Sequence, residues 1–532
     1  MRKPCTARYP SKKTKKTMNK LLKQVLIALP FLITAISCGS DDDSDGLSVI
    51  DFTVTPTTLQ YTKEGGTKSI SARAPQTVTA ISDQTWCTVS VGEATPTLKV
   101  TPIKVTVEEN KTQEARSAVV TIKAGNDSKT VSVTQEKGEA TSPAPSPNPT
   151  GSIKYDAKEV AKLMSPGWNL GNTMEAGNNN DSWKSVGIST ETSWQKTKTS
   201  KELISFIKAQ GFKSVRIPCA WVMGHITNAT DCTIDPAWMA RVKEIVSYCV
   251  EADLYVVLNQ HWDGGWLEHD GFTANADVTV KKQQLSKIWT QIATSFKDYD
   301  DHVIFAGLNE PGVGGAYKDN GSNISDDRLA SRLAEYEQTF IDAVRATGGN
   351  NEYRVLVVQG PETNIDKTVK HNYIASLTDK HPGRLMMEVH FYDPYQFTMM
   401  DKDASWGKMW YYWGKGNNGT ASNRNANSNY TESYVSSQMA KLKTALVDKG
   451  FPVIIGEFGA NQRFTIGKDV VHDASIRSWY EAVIKYAITN GCIPFAWDTN
   501  SGNGMTIINR STVKVLNTNM MLGIKQGSNG SK

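Results

Sequence analysis

Between about residues 153 and 525, short apolar runs alternate with longer amphipathic stretches. The runs are Gly167-Trp-Asn-Leu-Gly, Ser214-Val-Arg-Ile-Pro, Tyr255-Val-Val-Leu-Asn, Val303-Ile-Phe-Ala-Gly-Leu, Arg354-Val-Leu-Val-Val-Gln, Leu385-Met-Met-Glu-Val-His, Pro452-Val-Ile-Ile-Gly-Glu and Ile493-Pro-Phe-Ala-Trp. They are mostly apolar, as strands are when a parallel sheet is covered on both faces. Helical stretches such as Ser200–Ala209 and Trp238–Glu251 separate them, each followed closely by a turn residue, Gly211 or Asp253. Eight strands alternating with helices predict an α/β fold, a (β/α)8 TIM barrel over 153–525, with a short tail at 526–532. The longest loops, about 262–280 and 393–430, are rich in Gly, Asn, Asp and aromatics.

Residues 47–136 show a different period. Phe52-Thr-Val-Thr, Leu59-Gln-Tyr-Thr, Ser69-Ile-Ser-Ala, Val119-Val-Thr-Ile and Val131-Ser-Val-Thr alternate and are β-branched, with turns at Gly65-Gly66 and Gly125-Asn126-Asp127. This predicts a small all-β, immunoglobulin-like sandwich ahead of the barrel. Between the two, residues 137–152 carry Pro143, Pro145, Pro147 and Pro149. Such a segment is an extended spacer, roughly 50 Å long at about 3.1 Å per residue.

The first 37 residues read as an address. Residues 1–23 hold nine Lys and Arg and no acid, and an apolar run from Leu21 to Ile36 follows. Lys23, Gln24, Pro30 and Thr34 interrupt it, so it is a secretory signal and not a membrane span. Met18 offers an alternative start. The sequence Ala35-Ile36-Ser37-Cys38-Gly39-Ser40 resembles the lipobox of bacterial lipoproteins. The resemblance implies cleavage before Cys38, acylation of that cysteine (palmitate) and anchoring in a Gram-negative outer membrane. Asp41, Asp42, Asp43 and Asp45, in a tether over 38–46, resemble the surface-export signal of Bacteroidetes lipoproteins, which implies a cell-surface location.

Composition adds three points. Of the 532 residues, 39% are hydrophobic and 21% charged, which excludes a mostly disordered chain. The formal net charge of +5 belongs to the signal: without its nine basic residues, 50 Lys and Arg face 54 acids, a net of −4. No nucleic-acid partner is therefore expected. Seven Cys are too few for a disulfide framework, and Cys87, Cys219, Cys232, Cys249 and Cys492 are an odd number without metal spacing.

In a TIM barrel, chemistry sits at the strand C-termini. Those ends display Asn172, Arg216, His261, Asn309-Glu310, His390 with Tyr392, Glu457 and Trp497. The barrel brings Glu310 and Glu457, ends of the fourth and seventh strands, to face each other. Two facing carboxyl groups are the minimum set for glycoside hydrolysis. One must be ionised, which Arg216 favours, and the other protonated, which partial desolvation favours. Trp497 offers a flat face for a sugar ring. The eight His are scattered without paired ligand spacing, so neither metal nor cofactor is expected.

The segment 155–520 resembles glycoside hydrolase family 5. Gly167-Trp-Asn-Leu-Gly-Asn-Thr-Met-Glu-Ala, Glu191-Thr-Ser-Trp194 and Gly211-Phe-Lys-Ser-Val-Arg-Ile-Pro resemble its subfamily 4, of endo-β-1,4-glucanases and xyloglucanases. The resemblance implies Glu310 as acid/base and Glu457 as nucleophile of a retaining mechanism. It implies Asn309 on the 2-hydroxyl of the reacting glucose, and Arg216 and Tyr392 on Glu457. His261 and His390 would contact sugar and carboxylates, Trp497 would stack, and Asn172 would support the substrate. One departure is His261-Trp262, where the family more often has two adjacent His. The sandwich, with Trp86 and Arg116, resembles the BACON domains of Bacteroidetes carbohydrate enzymes; a spacer with a core Trp86 is favoured over a glycan-binding module. The whole arrangement resembles surface xyloglucan endo-hydrolases of gut Bacteroides. It implies a xyloglucan or related β-1,4-glucan substrate and glycan-uptake proteins as partners. Cellulose, mixed-linkage glucan and a non-catalytic surface glycan-binding role are the alternatives. Trp183, Trp194, Trp221, Trp262, Trp266, Trp406, Trp410 and Trp413 are candidate cleft walls, about half of them expected to be packing.

Overall fold

The computed structural model describes residues 51–137 and 152–531, apart from 111, 113, 274, 313–317, 320, 321, 324 and 503. The signal, Cys38, the acidic tether and nearly all of the proline-rich spacer lie outside the described residues. Those described form two compact units.

The first unit is a sandwich of two four-stranded sheets. Its strands are β1 (Thr53–Thr55), β2 (Thr58–Tyr61), β3 (Gly66–Arg73), β4 (Val78–Ser82), β5 (Cys87–Val91), β6 (Val100–Val107), β7 (Arg116–Ala124) and β8 (Asp127–Gln135). The sheets run β1-β3-β6-β5 and β2-β8-β7-β4. Alternation decides what faces inward: along β6 every second residue is buried, and Ile103 and Val105 meet Val120, Ile122, Val131 and Val133. Trp86 packs against this core with the Arg116 guanidinium 4.2 Å above its ring. One face of the ring is thus covered by a cation.

The second unit is a closed eight-stranded barrel. Its strands are β9 (Gly167–Asn169), β10 (Ser214–Ile217), β11 (Tyr255–Asn259), β12 (Val303–Ala306), β13 (Leu356–Gln359), β14 (Leu385–Phe391), β15 (Val453–Phe458) and β16 (Cys492–Ala496). Each pairs in parallel with the next, and β16 closes on β9. All eight fall on the predicted apolar runs. The fifth starts two residues late because Arg354 is held by the carbonyls of Phe296, Tyr299, Asp300 and Val303.

Two packing layers explain the strand patterns. Residues of one parity, such as Val256 and Leu258, join the core beneath the surrounding helices. Residues of the other parity, Val257, Ile304, Val357, Met386, Ile454 and Phe495, fill the barrel with Ala157 and Val160 of the preceding helix, Ala157–Ala161, and Met164 just after it. Two residues further along this inward parity the chemistry changes: Val257 gives way to Asn259, Val357 to Gln359, and Met386 to Glu388 and His390. Aliphatic residues therefore fill one end of the barrel and polar ones the other. The five described cysteines, Cys87, Cys219, Cys232, Cys249 and Cys492, are all buried and free.

Candidate active site

Arg216 stands on β10 and is completely buried. A buried guanidinium is costly unless its charge and donors are matched, and here the charge and both terminal nitrogens are. Its two terminal nitrogens reach Asn169 Oδ1 (3.0 Å), Glu457 Oε1 (2.9 Å) and Asn309 Oδ1 (2.6 Å). Its Nε lies 2.9 Å from Glu388 Oε1, a charge contact more than an aligned hydrogen bond.

Glu457 owes its aim to a bulge. Val389 pairs with Ile455 but His390 pairs with Glu457, so β15 carries one extra residue, Gly456. The extra residue turns the next side chain. Glu457 accepts from Arg216 and, on its other oxygen, from the Tyr392 hydroxyl at 3.0 Å. Burial raises the pKa of Glu457, against the pull of the His390 and Arg216 charges.

Glu310 follows β12 in the left-handed backbone region, with φ of +43°. That region is strained for a side-chain-bearing residue and is found at functional sites. Its side chain is 33% exposed, against 7% for Glu457. His390 Nδ1 lies 2.8 Å from Glu310 Oε1. His390 Nε2 lies 3.2 Å from Glu388 Oε1. Burial lowers the pKa of His390, but Glu457, Glu310 and Glu388 prevail and push it up to about 9. Both ring nitrogens are then donors.

His261 is the opposite case. Burial, with the Arg216 and His390 charges, holds its pKa well below normal. Asn259 Oδ1 accepts from the Cys219 N–H, so the Asn259 amide donates to His261 Nδ1 at 3.2 Å. The proton sits on Nε2, 4.0 Å from Glu457 Oε1. The His261 ring lies parallel to Trp497, centroids 5.9 Å apart. Trp497 is partly exposed, leaving area for a ligand.

One ligand atom from each of Glu310, His390 and Glu457 lies within 4.8 Å of the others. A metal ion could use that spacing, but a cationic His390 with both nitrogens facing carboxylates has no lone pair to give. Two carboxyl groups with oxygens within 4.8 Å of each other are closer to the roughly 5–5.5 Å spacing of retaining glycosidases than to the roughly 6.5–9.5 Å of inverting ones.

The structure thus gathers Arg216, His261, Asn309, Glu310, His390, Tyr392, Glu457 and Trp497. Asn172 stands apart: its φ is +57° and its backbone N–H donates to Glu175, with no described contact from its side chain to the cluster. From this first strand it is Asn169, three residues earlier, that contacts Arg216, alongside Asn309 from the fourth. Asn169 and Glu388 were missed because both lie inside strand runs, not at their ends; inward parity identifies them. Of the candidate wall tryptophans, Trp221, Trp266 and Trp413 are buried, and Trp183, Trp262 and Trp410 partly so. Trp194 and Trp406 are 42% and 55% exposed. Glu191 of the Glu-Thr-Ser-Trp motif is structural, held by Arg241 on two nitrogens.

Comparison with known proteins agrees with this geometry. Residues 176–503 match the family model for cellulase (glycosyl hydrolase family 5), and residues 76–136 match the BACON model, described as a putative N-terminal binding domain. The xyloglucan-specific endo-β-1,4-glucanase of Bacteroides ovatus is 30% identical over 96% of this chain and 97% of its own. A solved xyloglucan-specific β-1,4-glucanase from a ruminal metagenomic library is 44% identical over 71% of this chain and 97% of its own, with a TM-score of 0.64. A broad-specificity endoglucanase of Bacteroides salanitronis is 34% identical over 71% of this chain and 96% of its own, with a TM-score of 0.60.

Proposed function

This chain belongs to glycosyl hydrolase family 5, and from that premise we propose that it is a retaining endo-β-1,4-glucanase that cleaves the backbone of xyloglucan. The observation that carries the chemistry is the asymmetry of the two glutamates. Glu457 is buried and clamped by Arg216 and Tyr392, as a nucleophile must be to be aimed and charged. Glu310 is more exposed, with room to reach a glycosidic oxygen and water. Glu457 attacks the anomeric carbon while Glu310 protonates the departing oxygen. Glu310 then takes a proton from the water that releases the glycosyl-enzyme with retained configuration. The Asn309 amide nitrogen remains to donate, since its oxygen is occupied by Arg216.

Xyloglucan is supported by the two xyloglucan-specific relatives, one matched along nearly the whole chain. Reducing-end release from tamarind xyloglucan, carboxymethylcellulose and barley β-glucan tests it. Xyloglucan turnover at least tenfold above the others is expected. Equal rates would instead favour a broad-specificity endoglucanase, the activity named for one relative.

The sequence context of Cys38 and the acidic tether supports the further reading that the enzyme is an outer-membrane lipoprotein at the cell surface, acting beside glycan-uptake proteins. Incorporation of labelled palmitate, and its loss in Cys38→Ala, tests this.

A further inference from the structure

We propose that Glu388 is the positioning residue that ties the two catalytic glutamates into one electrostatic unit, a reading that rests on the glycosidase function above. Glu388 lies on β14 and is fully buried. Its Oε1 is shared between Arg216 Nε at 2.9 Å and His390 Nε2 at 3.2 Å. Arg216 continues to Glu457 and His390 to Glu310. One carboxylate is thus the common neighbour of the group that holds the nucleophile and the group that holds the acid/base. It sits behind both: His390 turns its other nitrogen toward Glu310.

The fold is shaped around this carboxylate. A Cβ placed on Gly456 would fall 1.8 Å from Glu388 Oε1. The residue before Glu457, at the bulge, is therefore held to glycine by Glu388. Behind Glu388, the Gln359 side chain donates to Oε2 at 2.7 Å. Gln359 is itself fixed, its N–H on Glu337 Oε1 at 2.7 Å and its carbonyl on the Tyr373 hydroxyl. Glu337 fits because Gly307 lacks a side chain: a Cβ there would lie 2.3 Å from Glu337 Oε2.

The charge arrangement gives Glu388 its role. His390 is faced by Glu388 on its own strand, Glu310 after β12, Glu457 on β15, Arg216 on β10, Tyr392 two residues on, and neutral His261 after β11. Glu310 and Glu457 change charge or form bonds during the reaction. Glu388 does neither, so it is the constant anion that keeps the imidazole cationic and its Nδ1–H directed at Glu310. Burial raises the Glu388 pKa, but Arg216 and His390 outweigh burial and the net shift is downward.

The test is Glu388→Gln, which keeps the shape and removes the charge. Turnover on the polysaccharide should fall about tenfold to a hundredfold with KM within about threefold. The alkaline limb of the kcat profile should move to lower pH. Independently of activity, NMR of labelled histidine should show His390 titrating near pH 9 in the wild type and clearly lower in the variant. Gln359→Met, which removes only the donor behind Glu388, should shift both readouts the same way by less, and serves if Glu388→Gln does not fold. Unmoved titration and unmoved alkaline limb would overturn the proposal even if turnover dropped, making Glu388 merely structural. A wild-type protein inert on every β-glucan would remove the glycosidase reading instead, while the histidine titration would still decide the charge coupling.

Discussion

At the residue scale the division of labour between the carboxylates sets the expected kinetics. Glu457→Gln and Glu310→Gln should each lower kcat on polysaccharide by about a thousandfold or more. They should separate on a dinitrophenyl glycoside, whose leaving group needs no proton: Glu310→Gln keeps formation of the glycosyl-enzyme and Glu457→Gln does not. Azide should rescue Glu457→Gly with inverted product. Tyr392→Phe removes a donor that favours charged Glu457. Because attack requires the anion, the acid limb of kcat/KM should move to higher pH in that variant, with kcat down about tenfold. A pH–rate profile checks both. The wild-type acid limb should already lie above the ordinary glutamate range, since burial raises Glu457.

At the scale of elements, the barrel strands were legible because burial on both faces leaves no polar stripe to misread. The site residues at strand ends were legible for the converse reason: polar groups interrupt apolar runs there. The sandwich was less so. β4, β5 and β6 were missed, and β6 contains Pro102, which ordinarily argues against an inner strand. Here Pro102 faces Ser71, and its carbonyl accepts from Gly92. Nor could the sequence reveal the bulge at Gly456, because a register shift depends on the partner strand. Gly456→Ala brings a methyl group onto Glu388. It should cost about 1–3 kcal/mol, read as a lowered Tm, and reduce turnover through displaced Glu457.

At the scale of the molecule, the sandwich and barrel have separate cores with no residue in common. A fragment over 153–532 should therefore keep its kcat on soluble xyloglucan within about twofold, with a single thermal transition by calorimetry. The barrel should also weaken in alkali through His390. Its folded pKa, about 9, lies above the unfolded one, about 6.5. The stability it contributes is complete below the lower value and lost as pH rises through the higher. Tm should decline across this interval, and less steeply in His390→Gln. The buried thiols bear on a different property. A chain read as exported to the outside of a cell commonly meets oxidants, yet this one closes no bridge among its described cysteines. Among the described residues the fold is held by packing and polar networks, with no linkage for a reductant to cut. Millimolar dithiothreitol should leave its melting temperature and its activity where they were, in the absence of oxygen as in air.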